Sequence, residues 1–295
     1  MPEPVLGRVA VIGLGRMGAA MAASMQAAGL EVQGYDIEPH KARPFTRPGE
    51  VPARTPREAA HGAGIVVVVV HDQDQVEDVL SGRDGVLDVM SPGTVVWLAS
   101  TVPPSYAKAV GERLAMKSLV FLDGPVSGGK AGATAGQLTA IIGCTAQALV
   151  AAGPALAACT SRVFHVGPAG AGSAVKMINQ VMVAVHSTLT GEAMALAAGV
   201  GLEPTKVIEV VTSSAGSSVI FGKRAPRIAA GQHEVEVSIA TLHKDLAIGI
   251  AAARRLGLCL PLAEKALEIL QNAVANGRGE LSDTCLFDAA DAEDA

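Results

Sequence analysis

The sequence predicts an α/β fold: a doubly wound, mostly parallel sheet, then an all-α C-terminal domain, the two joined by one long interdomain helix. Three observations carry that expectation. At the start of the chain a short apolar strand runs directly into a glycine turn and a small-residue helix. Beyond it, β-branched runs alternate with helical stretches as far as about residue 166. Residues 173–198 then contain no proline and one glycine, Gly191, with Ala, Val and Met at helical intervals, which makes one helix of about seven turns. The expected domains are residues 1–167 and 168–295, and 295 residues suffice for two cores.

Composition narrows the classes. The formal charge is −5 with basic residues scattered, which leaves no footprint for nucleic acid or an anionic membrane. Apolar residues make up 49% and aromatics only 3%, so the cores are built from Ala, Val, Leu and Ile, as suits parallel strands and close helix packing. The longest apolar run, Ile65 to Val70, is too short to span a bilayer, and residues 1–10 lack a signal-peptide pattern. Cys144, Cys159, Cys259 and Cys285 have no paired spacing, so neither a metal site nor a disulfide framework is expected. A cytoplasmic protein with reduced thiols is the expectation.

Arg8–Ile12 reads as the first strand, followed by Gly13-Leu14-Gly15-Arg16-Met17-Gly18 and a helix over Ala19–Ala28. Here Gly13 permits the tight turn and Gly15 lets backbone approach a pyrophosphate. Gly18 lets helix and strand pack closely, while helix N–H groups face the anion. The next strand, Leu30–Tyr35, ends at Asp36, close to the distance of about 20 residues expected of a carboxylate that binds an adenine-ribose diol. Asp36 would repel a 2′-phosphate and so favours NAD, with NADP as the other candidate; its other use is to cap a helix. Five prolines between Pro39 and Pro56 predict a short or broken crossover helix. Ile65–Val70 is a buried strand, with His71 and Asp72 at its C-terminal end where ligands of open parallel sheets bind. A helix is expected over Gln75–Leu80 and a strand over Thr94–Ala99. Ser100 and Thr101 then precede Pro103-Pro104, where hydroxyls either cap the next helix or bind ligand. Val120–Asp123 is a strand that leads into Gly124-Pro125-Val126-Ser127-Gly128-Gly129, whose exposed N–H groups can cradle a carboxylate or phosphate; the alternative is a flexible loop. Strands over Leu138–Ile142 and Arg162–Val166 flank a helix over Thr145–Ala157.

On the long helix Lys176, Asn179 and Gln180 stand at i, i+3 and i+4, placing an ammonium and two carboxamides on one face; the alternative is a lysine snorkelling to water. Val207–Val211 reads as a buried turn or two. Ser213–Ser218 is a polar break whose serines either meet a polyol or cap a helix beginning near Ser218. Ile239–Leu256 is a helix bearing His243, Lys244 and Asp245. Being adjacent, Lys244 and Asp245 are expected on different faces, one for ligand and one for a structural pair. Pro261–Ala275 is amphipathic, and 288–295 is an acidic tail expected to be mobile.

The glycine turn Gly13–Gly18, Ser100-Thr101-Val102-Pro103, Asp123–Gly129, Lys176 with Asn179-Gln180, and Lys244-Asp245-Leu246 occur in the order and spacing of the β-hydroxyacid dehydrogenases, which the chain resembles from about Val9 to about Leu281. The resemblance implies a Rossmann NAD(P)-binding domain, a helical C-terminal domain that mediates homodimer or homotetramer formation, and oxidation of a hydroxyl β to a carboxylate on a small hydroxy acid. By the same resemblance Ser127, Gly128 and Gly129 hold the substrate carboxylate and Lys176 is the catalytic acid/base. Thr101 and Lys244 lie near the nicotinamide. Asn179-Gln180 in place of two asparagines, together with Ser217 and Phe221 in the substrate site, looks most like the L-threonate dehydrogenase branch. Val219 stands where that branch carries tryptophan. Alternatives are 3-hydroxyisobutyrate dehydrogenase and tartronate or succinic semialdehyde reductase. An imine reductase shares the architecture but generally lacks the lysine. A non-catalytic dinucleotide sensor would need the glycine turn and Asp36 without Lys176 and the Ser127 loop together. An unperturbed lysine titrates near about 10.4, so a proton-accepting Lys176 predicts an alkaline optimum for oxidation.

Overall fold

The computed structural model describes residues 8–286, so the acidic tail lies outside the described residues. The chain divides into two compact units, Met1–Lys176 and Met177–Ala295.

In the first unit the elements alternate: β1 (Arg8–Ile12), α1 (Arg16–Ala27), β2 (Glu31–Tyr35), α2 (Pro39–Ala42), α3 (Pro56–Ala60), β3 (Ile65–Val68), α4 (Gln73–Ser81), β4 (Val95–Leu98), α5 (Pro104–Met116) and β5 (Val120–Asp123). There follow β6 (Val126–Ser127), α6 (Gly129–Thr134), β7 (Leu138–Gly143), α7 (Ala146–Ala151), α8 (Gly153–Cys159) and β8 (Thr160–Gly167). Among the described residues, eight strands form one sheet in the order β2-β1-β3-β4-β5-β7-β6, with β8 beside β7. The pairs are parallel except where β7 meets β5 and β6. Strand residues alternate between two cores, as a period of two requires. Val9, Val11, Val67 and Trp97 pack with α1, α6, α7 and α8, whereas Ala10, Ile12, Val66 and Leu98 pack with α3, α4 and α5.

One expectation needs correction here. The helix expected over Thr145–Ala157 is two helices, because Pro154 lacks the N–H that would continue the ladder of α7 and instead opens α8. The alternative reading of the glycine-rich stretch after β5, a flexible loop, is not what forms. The stretch folds as β6 and α6, with Val126 and Ser127 in register opposite Ala140 and Thr139 of β7.

Helix α9 (Ala171–Gly199) starts in the first unit and continues into the second, where α10 (Pro204–Thr212), α11 (Val219–Ala229), α12 (Ile239–Arg255) and α13 (Pro261–Ala273) follow. Leu242, Leu246 and Ile250 of α12 pack with Ala184 of α9 and Ala266 and Leu270 of α13. Gly249 lets α12 approach α9 closely, since a Cβ there would collide with Val181. The burial expected for Val207–Val211 is not found: α10 forms, but none of its residues is buried, because only Ile208 and Val211 reach the small core of Met194, Phe221, Ala225 and Ile228. By length and composition α9 could cross a membrane, which the short run Ile65–Val70 does not suggest. It carries the buried polar residues Ser173, Lys176 and Gln180, and 39% of its apolar window is buried.

Candidate functional site

Two glycines of the turn after β1, Gly13 and Gly18, have no room for a side chain. Gly13 sits at φ +91°, and a Cβ there would collide with the Val69 carbonyl; one on Gly18 would collide with the Gly13 carbonyl. Gly15, the N-cap of α1, has open space where its Cβ would point, and no side chain caps the helix. Such a start leaves N–H groups and the positive end of the helix dipole for an anion. Arg16 beside it is exposed, Met17 is half-buried against the core, and Leu14 is buried. Leu14 therefore acts through its backbone: its N–H donates to Oδ2 of Asp36 at 2.7 Å.

Asp36 is not a helix cap. Its Oδ1 accepts the Glu38 N–H at 2.9 Å in an Asx-type turn, and Glu38, not Asp36, occupies the N-cap of α2. Each oxygen keeps a second lone pair, which suits a ribose diol. Asp36, Gly13, Gly15, Arg54, His71 and Asp72 line a cleft of about 640 Å³. Within it Asp72 also has a structural task, its Oδ1 capping α4 by accepting the Gln75 N–H at 2.9 Å. His71 is exposed and donates its backbone N–H to Oε1 of Gln75. At the end of β4, Ser100 Oγ accepts the Val70 N–H at 2.9 Å, and Thr101 is half-buried. Neither hydroxyl caps α5, whose start is pushed on to Pro103 and Pro104. The uncapped helix, the open space at Gly15 and the acid ending β2 together fit a dinucleotide.

The second cluster of this unit surrounds Lys176. Its side chain is 8% exposed, and Nζ donates to the Val126 carbonyl at 2.9 Å, the peptide immediately before Ser127. Gly128 at φ +135° and Gly129 at φ +67° then turn the chain into α6 in conformations that favour glycine. The structure thus brings Lys176 together with Ser127, Gly128 and Gly129. Asp123, absent from the sequence-derived site, is fully buried and accepts the Gly170 and Ser173 N–H groups at 2.9 Å each and the Ser173 hydroxyl at 2.5 Å. Burial pushes its carboxyl above the ordinary range against the pull of those donors. Its signal in the sequence is an acid ending an otherwise apolar strand.

In the second unit Gln180 and Asn179 belong to a hydrogen-bonded chain. Asn179 Nδ2 donates to Gln180 Oε1 at 3.0 Å, and Gln180 Nε2 donates to Asp245 Oδ2 at 2.5 Å. Lys244 Nζ donates to Asp245 Oδ1 at 2.7 Å, which corrects the expectation that the two neighbours serve different faces. The long lysine stem curls back over the roughly 100° between adjacent helix positions. Ser218 caps α11 by accepting the Phe221 N–H at 2.9 Å, while Ser213 and Ser214 return to carbonyls of α10 and Ser217 is exposed. Phe221 packs in the small core rather than on an open wall, 5% exposed.

Residues 8–167 match the NAD binding domain of 6-phosphogluconate dehydrogenase, and residues 170–288 match the NAD-binding domain of NADP-dependent 3-hydroxyisobutyrate dehydrogenase. An L-threonate dehydrogenase from Cupriavidus necator is 38% identical over 95% of this chain and 94% of its own. The chain is a member of the β-hydroxyacid dehydrogenase family. The enzyme is also 33% identical to a NAD-dependent L-serine dehydrogenase of Pseudomonas aeruginosa, over 92% of this chain and 94% of that one. It superposes on the crystal structure of 3-hydroxyisobutyrate dehydrogenase from Salmonella typhimurium with a TM-score of 0.87 and 33% identity, over 96% of this chain and 99% of that one. The mostly parallel sheet with a helical C-terminal region is the fold of this dehydrogenase family, and its cofactor is NAD(P).

Proposed function

We propose that the enzyme oxidises a four-carbon aldonate such as L-threonate with NAD, and that Lys176 takes the hydroxyl proton. The observation that carries this reading is the buried Lys176 ammonium held on the Val126 carbonyl beside Ser127–Gly129. The similarity to L-threonate dehydrogenases supports the substrate class. When bound, the nicotinamide supplies the hydride-accepting chemistry. The amides of the Ser127–Gly129 turn receive the substrate carboxylate, because glycines at positive φ expose N–H groups that a side chain would cover. Once deprotonated, the Lys176 amine keeps two N–H bonds, so it can hold Val126 while its lone pair accepts the hydroxyl proton. Asn179 and Gln180, one turn further along α9, orient hydroxyls by neutral hydrogen bonds, and the chain through Asp245 fixes which way each amide points.

The nucleotide is assigned to residues 1–167 and the substrate and dimer contacts to 168–295, in a cytoplasmic homodimer or homotetramer. Supporting self-association, Met182, Leu189 and Leu196 of α9 and Val210 of α10 are each more than half exposed. Light scattering at micromolar concentration would return a monomer mass if this part is wrong.

The test is NADH absorbance with NAD or NADP and a panel of L-threonate, D-erythronate, D-glycerate, L-serine and 3-hydroxyisobutyrate. Turnover is expected with L-threonate and NAD, and a rate that climbs with pH on the acid side of the optimum. Lys176→Ala should bind NADH normally and lose turnover; retention of about a tenth of the activity would sink the assignment. A rate independent of pH from about 6 to about 10 would count against a lysine proton acceptor.

A further inference from the structure

The segment Asp123–Val126 grips α9 at two places. At its start, the buried Asp123 carboxylate takes two backbone N–H groups and one hydroxyl from the Gly170–Ser173 stretch. At its end, the Val126 carbonyl takes the ammonium of Lys176, which stands three residues past Ser173 and so lies on the same helix face. The segment is itself rigidly held. The Gly124 N–H donates to the Leu98 carbonyl at 2.9 Å, Trp97 Nε1 donates to the Gly124 carbonyl at 2.7 Å, and the Pro125 carbonyl accepts the Ile141 N–H at 3.0 Å. The helix start has no slack either. A Cβ on Gly172 would collide with the Asp123 and Ile141 carbonyls, and one on Gly143 would run into the Gly172 amide, so α9 is seated backbone against backbone on β5 and β7.

From this geometry we infer that Asp123 is a positioning residue for the reaction: through Ser173 and the first turn of α9 it sets where the Lys176 ammonium sits relative to the Ser127–Gly129 turn. The inference rests on the proton-accepting role of Lys176. A carboxylate suits the position because it is an acceptor only, so that two backbone N–H groups and the Ser173 hydroxyl can all donate to it. An amide in its place can keep its oxygen on the Gly170 and Ser173 N–H groups, but it puts an NH₂ where Oδ1 accepts the Ser173 hydroxyl, so that hydroxyl must reverse to accept and a second N–H is brought into a buried site. The first turn of α9 would then shift or twist, and the lysine three residues on would move with it. Misplacement on the ångström scale at a reacting group lowers turnover without weakening ligand capture to match.

The experiment uses the full-length enzyme and three variants, Asp123→Asn, Ser173→Ala and Lys176→Ala. Steady-state rates are taken with NAD and the best substrate of the panel. NADH affinity is taken from fluorescence. Lys176 acetylation by acetic anhydride is followed by peptide mass mapping against the exposed Lys265. For Asp123→Asn, kcat should fall about ten- to hundredfold while KM and NADH affinity stay within about threefold, and Lys176 should acetylate several-fold faster relative to Lys265. If Asp123 merely supports the fold, the folded fraction would drop but kcat per NADH-binding site and the Lys176 labelling ratio would match wild type, and that result overturns the inference. Ser173→Ala, which removes the hydroxyl alone, decides the matter if Asp123→Asn does not fold: a lowered kcat at unchanged KM supports positioning, and unchanged kcat and labelling overturn it. Activity remaining in Lys176→Ala would remove the proton-acceptor reading instead, and the labelling ratio still reads the position of Lys176 without any turnover.

Discussion

At the scale of single residues, Gly15 and Gly18 separate binding from folding, though they stand three positions apart. A methyl on Gly15 meets open space and the backbone there, at φ −65°, suits any residue, whereas a methyl on Gly18 meets the Gly13 carbonyl. Gly15→Ala should therefore unfold at nearly the wild-type urea midpoint and bind NAD at least about tenfold more weakly, because the methyl occupies the pyrophosphate approach. Gly18→Ala should lose stability, by about 1–3 kcal/mol as for other overpacked sites. Equal loss of stability in both variants would contradict this division. Asp36 shows how a residue can serve a ligand and the fold together, since it already tethers Leu14 and Glu38 before any ribose arrives.

At the scale of elements, β4 and the β5–β6 connection are joined by one side chain. Trp97 is fully buried and its indole N–H satisfies the Gly124 carbonyl, so Trp97→Phe keeps most of the apolar contact and removes only the donor. The expected cost is about 1–3 kcal/mol, the usual penalty for a buried carbonyl left unpaired, measured by urea unfolding. Trp97→Ala should cost more, about 3–5 kcal/mol, by adding a cavity. If Trp97→Phe were as stable as wild type, the hydrogen bond would not hold the segment on which Lys176 rests. The same element explains the sheet's change of direction. β6 continues from β5 after Gly124-Pro125, and both run antiparallel to β7, so Asp123 lies beside the end of β7 and the Ser127 turn beside its start, while α9 follows from β8.

At the scale of the whole molecule, the second unit is closed by an ion pair far apart in sequence. Arg224 Nε of α11 bonds Asp283 Oδ2 at 2.6 Å, both groups being buried, and Ser187 of α9 lies at 3.4 Å from the same oxygen. Burial pushes the Asp283 carboxyl up, and Arg224 and Arg227 pull it down. With the carboxyl above its unfolded value, the native state holds more protons than the unfolded chain just above the ordinary carboxylate range. The group's contribution to stability therefore falls as pH rises through that interval. Arg224→Ala removes the main opposing charge and should cost about 3–5 kcal/mol. Its deficit against wild type should be larger near pH 8 than near pH 5, where protonation relieves the stranded acid. Urea unfolding at the two pH values checks this, and a deficit that grows toward low pH would reverse the argument.

What the sequence determined by itself was local and periodic. The strand–glycine turn–helix at Arg8–Ala27, the alternation of strands and helices, and the unbroken run that becomes α9 all follow from steric limits and hydrophobic spacing within a few residues. The ordered motifs likewise sufficed to place the chain among the β-hydroxyacid dehydrogenases. The tertiary structure alone decided which polar groups found one another. That Asp123 accepts from Ser173, fifty positions away, that Lys176 rests on Val126, and that Lys244 and Gln180 converge on Asp245 depend on strand order and helix docking. It also decided burial, leaving α10 unburied where spacing predicted a buried turn and enclosing Phe221. The physical reason is that periodicity specifies which face of an element is apolar, whereas the partner against which that face or a polar side chain is satisfied is set by contacts distant in the chain.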